Sequence, residues 1–227
     1  MENKKKIFCA LDFSDLSKTI EFAELIKNHV GGVKLGLEFF MNNGLDGVLA
    51  IKKIGIPIFL DLKFNDIPNT VKKAVKNVIK LEPDYLTAHL NGGKKMLEEI
   101  VEIKGITKII GVSVLTSLND EDMKIFGLGI DTKKFTENLI EMGKDSGIDG
   151  VVSSPHEVQS LKRKMPDNFL FCTPGIRLPE DDLNDQKRVA SPGDAIRLGS
   201  SILIIGRAIT HSKNPIEIIK KITDDIG

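Results

Sequence analysis

Hydrophobic positions along the chain fall into two alternating patterns. Short, nearly continuous apolar runs rich in β-branched residues recur eight times: IFCALD (7–12), GVKLGL (32–37), IFLDLK (58–63), YLTAHL (85–90), IIGVSVL (109–115), GVVSSP (150–155), FLFCTPG (169–175) and ILIIGRA (202–208). Each run predicts a buried strand. Between them, apolar residues recur every three or four positions. Leu16, Ile20, Ala23 and Ile26 mark a helix over 15–29. Pro68 suits the first turn of a helix over 68–81, and Asn214-Pro215 opens a last helix whose apolar stripe is Ile218, Ile219 and Ile222.

Eight strands alternating with about eight helices predict one α/β domain over residues 1–227, a (β/α)8 or TIM barrel. Repetition does not by itself prove closure, so an open doubly wound sheet is the alternative. Against it, the first strand carries no GxGxxG dinucleotide fingerprint.

Composition narrows the picture only a little. The 32 basic and 32 acidic residues balance, which gives no sign of a nucleic-acid partner. No apolar run reaches the length of a membrane span, and the opening MENKKKIF lacks the apolar core of a signal peptide. A cytoplasmic protein is expected. Cys9 and Cys172 lie in apolar runs and read as small core residues of a reducing compartment.

In such barrels, chemistry gathers at the C-terminal ends of the strands. Asp12 ends the first run, Lys34 lies within the second, and Asp61 and Lys63 end the third. Residues two apart on a strand face the same way, so Asp61 and Lys63 are expected to share an environment. Asp66 falls beyond them, in the loop before Pro68. Each charge has an ordinary reading by itself: a helix-start carboxylate for Asp66, a lysine reaching solvent for Lys34, a turn residue for Asp12. Gathered at one end of one barrel, they point to a site. Unit charges about 4 Å apart attract by roughly 4 kcal/mol at an effective dielectric near 20, so a lysine flanked by carboxylates stays protonated. Lys63 is therefore a candidate general acid rather than a Schiff-base amine.

The last two runs suggest where an anion binds. Gly206 and Arg207 lie at the end of the eighth, while Gly175 ends the seventh and Arg177 follows it. Loops after strands 7 and 8 of such barrels often hold phosphate. The polar stretch near 178–190 has no apolar periodicity and reads as a lid, with Gln186 able to reach the phosphate on closure. Thr116 and Ser117 offer neutral donors near the mouth. His89 reads as a hydrogen-bonded support, and the serines of SSPHEV as helix caps.

D-x-K-x-x-D at 61, 63 and 66, with ALD (10–12), GVKLG (32–36), LTS (115–117), TPGIR (173–177) and IGRAIT (205–210), resembles the orotidine 5′-phosphate decarboxylase family in order along nearly the whole chain. That resemblance implies a homodimeric enzyme of UMP biosynthesis. It implies that Asp12 binds ribose hydroxyls and that Lys34, Asp61 and Lys63 form a charged array beside the orotate ring. Asp66 and Thr70 would reach the partner's site, Thr116 would contact the pyrimidine, and Arg177, Gln186, Gly206 and Arg207 would hold the 5′-phosphate.

The implied reaction fits the charges. Loss of CO2 from C6 leaves a carbanion with no neighbouring carbonyl to accept the electrons, and no pyridoxal, thiamine or metal-binding motif is visible in the chain. Fixed electrostatics and proton delivery, without a cofactor, are then the expected means. Two other readings remain. A Mg2+-dependent sugar-phosphate decarboxylase or aldolase-type synthase shares D-x-K-x-x-D but has an acidic residue where this chain has Lys34. A non-catalytic nucleotide-phosphate sensor would show a defect in the array.

Overall fold

The structure, a computed structural model, describes residues 2–176 and 190–227. Eight parallel strands close on themselves in sequence order: β1 (Ile7–Ala10), β2 (Gly32–Leu35), β3 (Ile58–Phe64), β4 (Tyr85–His89), β5 (Lys108–Val112), β6 (Gly150–Val152), β7 (Leu170–Thr173) and β8 (Ile202–Ile205). Closure is made by β1 against β8, where Ile7 pairs with Leu203 and Cys9 with Ile205. That pairing excludes the open sheet.

The strands read as continuous apolar runs because both of their faces are buried. On β1, Ile7 and Cys9 belong to the large core between strands and helices, while Phe8 and Ala10 belong to a second core inside the barrel. The inner core contains Phe8, Phe59, Ile110, Cys172, Ile202 and Ile204. Near the strand starts, Phe8 meets Phe59 and Tyr85 edge-on, with ring centroids 6.2 and 5.4 Å apart, and Phe59 stacks on Tyr85 at 5.4 Å. Gly32 makes room for this cluster: a Cβ there would lie 2.2 Å from Phe8 Cε1. Cys9 and Cys172 are free and buried, as expected, and burial pushes both thiols well up.

Helices wrap the barrel: α1 (Leu16–Ile26), α2 (Leu37–Lys52), α3 (Pro68–Val78), α4 (Lys94–Ile103), α5 (Asp120–Ile125), α6 (Thr132–Asp145), α7 (Pro155–Leu161), α8 (Pro192–Leu198), α9 (Arg207–Thr210) and α10 (Pro215–Ile226). Their starts follow local chemistry. The Asp15 carboxylate accepts from the Lys18 N–H at 2.7 Å and caps α1, and Pro68, Pro155, Pro192 and Pro215 occupy first turns. Two of these helices go beyond one per strand: α5 ahead of α6, and the single turn α9 ahead of α10. Among the described residues, no helix is long and apolar enough to cross a membrane.

Candidate active site

Strands β1 to β3 bring four predicted charges to the C-terminal mouth. Lys34 Nζ lies 3.3 Å from Asp12 Oδ1 and 3.5 Å from Asp61 Oδ2, and Lys63 Nζ lies 2.7 Å from Asp61 Oδ2. Signs alternate along the row Asp12, Lys34, Asp61, Lys63. Its centre is sheltered and its ends are open: side-chain exposure is 13% at both Lys34 and Asp61, 33% at Lys63 and 55% at Asp12. Lys34 therefore does not reach away into solvent. Gly36 leaves room for the row, since a Cβ there would stand 3.1 Å from both Asp12 Oδ1 and Lys34 Nζ.

Burial alone would raise the Asp61 pKa. The cations of Lys34 and Lys63, with hydrogen bonds from Lys63 and Thr87, outweigh it and hold Asp61 below the ordinary carboxylate range. Asp61 is thus an anion at neutral pH, fixed between two ammonium groups.

Asp61 and Lys63 meet by a route that regular strand alternation does not provide. Leu60 pairs with Leu86 and Phe64 with Ala88, so β3 advances four residues while β4 advances two. Within this bulge Lys63 has φ 49°, a left-handed backbone that a lysine rarely adopts. The buried Thr87 of β4 holds it there. Its Oγ1 accepts from the Lys63 backbone N–H at 2.8 Å and donates to Asp61 Oδ1 at 2.9 Å. Sequence reasoning missed Thr87, although it shares the inward face of YLTAHL with His89 and precedes it by two positions.

His89 ends β4 beside the array. Burial, then the Lys63 cation, lowers its pKa, while Asp61 and the Val112 backbone pull the other way. The imidazole is neutral at neutral pH. The ring hydrogen-bonds to the Val112 backbone, in keeping with the support expected of it, while its buried Nδ1 has no hydrogen-bond partner.

Asp66 sits in the β3–α3 loop, exposed, with its carboxylate accepting from the Ile67 N–H at 2.7 Å. Thr70 is exposed on the first turn of α3, and between the two Ile67 is 67% exposed. Thr116 and Ser117 lie exposed in the turn after β5 and make no hydrogen bond to the array. At the SSPHEV turn the capping partner is Glu157, whose carboxylate accepts from the Ser154 N–H and Oγ–H at 2.8 and 2.7 Å.

From Asp12 a cleft of about 540 Å³ runs to the end of β8, lined by Ala10, Phe13, Lys18, Gly206, Arg207 and His211 among others. Gly206 is not required by internal crowding, because a Cβ there would meet Ala10 Cβ at 3.5 Å, an ordinary contact. Gly175 has φ 75° and needs glycine for its backbone. Arg177, Gln186 and residues 178–189 of the expected lid lie outside the described residues; Ile176 and Ala190, which flank them, form a parallel bridge.

Comparison with known proteins agrees with this geometry. A family model described as Orotidine 5′-phosphate decarboxylase / HUMPS family matches residues 5–222. An orotidine 5′-phosphate decarboxylase of Novosphingobium aromaticivorans is 42% identical over 217 residues, covering 95% of this chain and 96% of the relative. One of Wolbachia pipientis subsp. Culex pipiens is 44% identical over 225 residues, covering 96% and 99%. Among solved structures, an orotidine 5′-phosphate decarboxylase from Lactobacillus acidophilus superposes with a TM-score of 0.86 at 33% identity, over 97% of this chain and 98% of that one.

Proposed function

Because this chain belongs to the orotidine 5′-phosphate decarboxylase / HUMPS family, we propose that it converts orotidine 5′-phosphate to UMP and CO2 in pyrimidine biosynthesis. The observation that carries the reading is the row Asp12, Lys34, Asp61, Lys63 at the barrel mouth, continuous with a cleft that ends at Gly206 and Arg207.

The substrate lies with its phosphate at Gly206 and Arg207, its ribose hydroxyls on Asp12 and its ring over Lys63. Arg177 and Gln186 complete the phosphate grip, the segment 178–190 acting as the lid, and Thr116 contacts the pyrimidine. When the C6–carboxylate bond breaks, its electron pair stays on C6 and CO2 departs. The Lys63 ammonium faces that developing charge, stabilises it and gives C6 a proton, which leaves a neutral amine to be reprotonated from water. Asp61 is already ionised and paired, so it holds Lys63 charged and aimed until the carbanion forms. The row carries its own positive charge at Lys34, where the sugar-phosphate branch has a metal-binding acid. No metal or organic cofactor takes part, and exhaustive chelation leaves the rate unchanged.

The working unit is a homodimer in the cytoplasm. Asp66 and Thr70 project from an exposed loop and helix start, beside an exposed isoleucine, and enter the partner's site.

Release of labelled CO2 from carboxyl-labelled orotidine 5′-phosphate by the purified protein tests the reading. Turnover without added metal is the expected result. No release, or release only with Mg2+, would overturn it.

A further inference from the structure

We propose that Thr87 is a positioning residue, one hydroxyl that fixes both the backbone of Lys63 and the direction of hydrogen bonding through the array. The inference rests on the decarboxylase reading above and adds a residue to it.

A hydroxyl has one proton to give. The Lys63 backbone N–H can only donate, so it takes a lone pair of Thr87 Oγ1 at 2.8 Å. The hydroxyl proton is thereby committed to Asp61 Oδ1 at 2.9 Å. Oδ1 is held by this bond, and Oδ2 is left to Lys63 Nζ at 2.7 Å and Lys34 Nζ at 3.5 Å. Thr87 has 0% exposure, so water has no access to replace either bond. Without the hydroxyl, a buried N–H and a carboxylate oxygen both lose partners, and the left-handed turn at Lys63 loses its anchor. The ammonium that must face C6 hangs from that turn.

Three enzymes are compared: wild type, Thr87→Val, which keeps the shape and removes the hydroxyl, and Thr87→Ser, which keeps the hydroxyl. Thr87→Val should lower kcat on orotidine 5′-phosphate about 100-fold, the scale of a misplaced catalytic group, with UMP affinity changed only a few-fold. Thr87→Ser should restore most of the rate. The acid limb of kcat/KM should move to higher pH in Thr87→Val, because Asp61 loses a bond that favours its anion while Lys34, Lys63, His89 and Cys172 still face it.

A folded Thr87→Val with the wild-type kcat and pH profile overturns the proposal. So does a Ser variant as slow as the Val variant, which would make the methyl group the important part. If Thr87→Val does not fold, Thr87→Ala takes its place, and equal rates for Ser and Ala overturn the proposal. An inactive wild type would sink the decarboxylase reading alone. Carboxyl 13C NMR would then decide on Thr87, since the Asp61 titration should move up without the hydroxyl and an unmoved titration refutes the role.

Discussion

The two ends of the barrel interior are built by the same strands and share no chemistry. Near the strand starts, Phe8, Phe59 and Tyr85 pack ring on ring and close the barrel. One inward position further along β3 and β4, Phe59 gives way to Asp61 and Tyr85 to Thr87; four residues after Phe8 comes Asp12. A rise of roughly 7 Å per two residues separates an aromatic plug from an ion row. The plug supplies burial that holds the strands in register. The row is tolerable only because each charge sits beside an opposite one and the plug fixes the strands that carry them. Stability and reactivity are thus expected to separate by height along the barrel axis.

The strongest way to break this division is Lys63→Ala. It should lower kcat about 10⁴-fold or more, with UMP binding substantial and the melting temperature little changed. A collapse of stability with a modest rate loss would refute the separation. Mixing inactive Lys63→Ala and Asp66→Ala proteins comes next. On random exchange, half the dimers carry one intact site, so roughly a quarter of wild-type activity should return. Confirmed exchange with no activity would place Asp66 outside the partner's site.

At the other end, Phe59→Ala should cost about 3–5 kcal/mol in denaturant unfolding, with kcat altered much less than by Lys63→Ala. Equal damage to both would mean that the plug also sets the site geometry. Arg207→Ala should cost about 1.5–3 kcal/mol in kcat/KM, the scale of a charged hydrogen bond, and little on a substrate lacking the phosphate. Equal losses on both substrates would take Arg207 off the phosphate. The smallest effect concerns pH. The native pKa of Asp61 is lowered, so its contribution to stability is full above the ordinary carboxylate range and is lost as pH falls through the lowered value. The melting-temperature gap between wild type and Asp61→Asn should therefore narrow on acidification; a constant gap would contradict the assignment.

Much of this was legible in the order of residues. Strands buried on both faces leave continuous apolar runs, and eight of them alternating with helices pointed to a barrel, but closure itself came only with the pairing of β1 against β8. The runs overshoot the strands at their ends, as with 109–115 against β5, because Val114 stays partly buried after the ladder stops. The turn α9 begins inside the run 202–208 and ends beyond it at Thr210, and α5 was hidden in the polar stretch after LTS. Alternation put Asp61 beside Lys63, which is where they are, yet the pairing comes from a bulge and a left-handed lysine. No propensity of lysine predicts φ 49°. Thr87 was overlooked because a threonine in a strand reads as an ordinary β-former, and only its two hydrogen bonds give it a part in the site.

Closure by β1 and β8 also has a consequence for the chain as it is being made. β1 waits for its second neighbour until β8 appears, roughly 190 residues later, which at 5–20 residues per second is on the order of 10–40 s. Throughout that interval the apolar edge of Ile7–Ala10 is open to any other nascent strand. Once β8 arrives, no edge is left. The emerging polypeptide is therefore the aggregation-prone species, and the finished ring can join another copy only through its helices and loops.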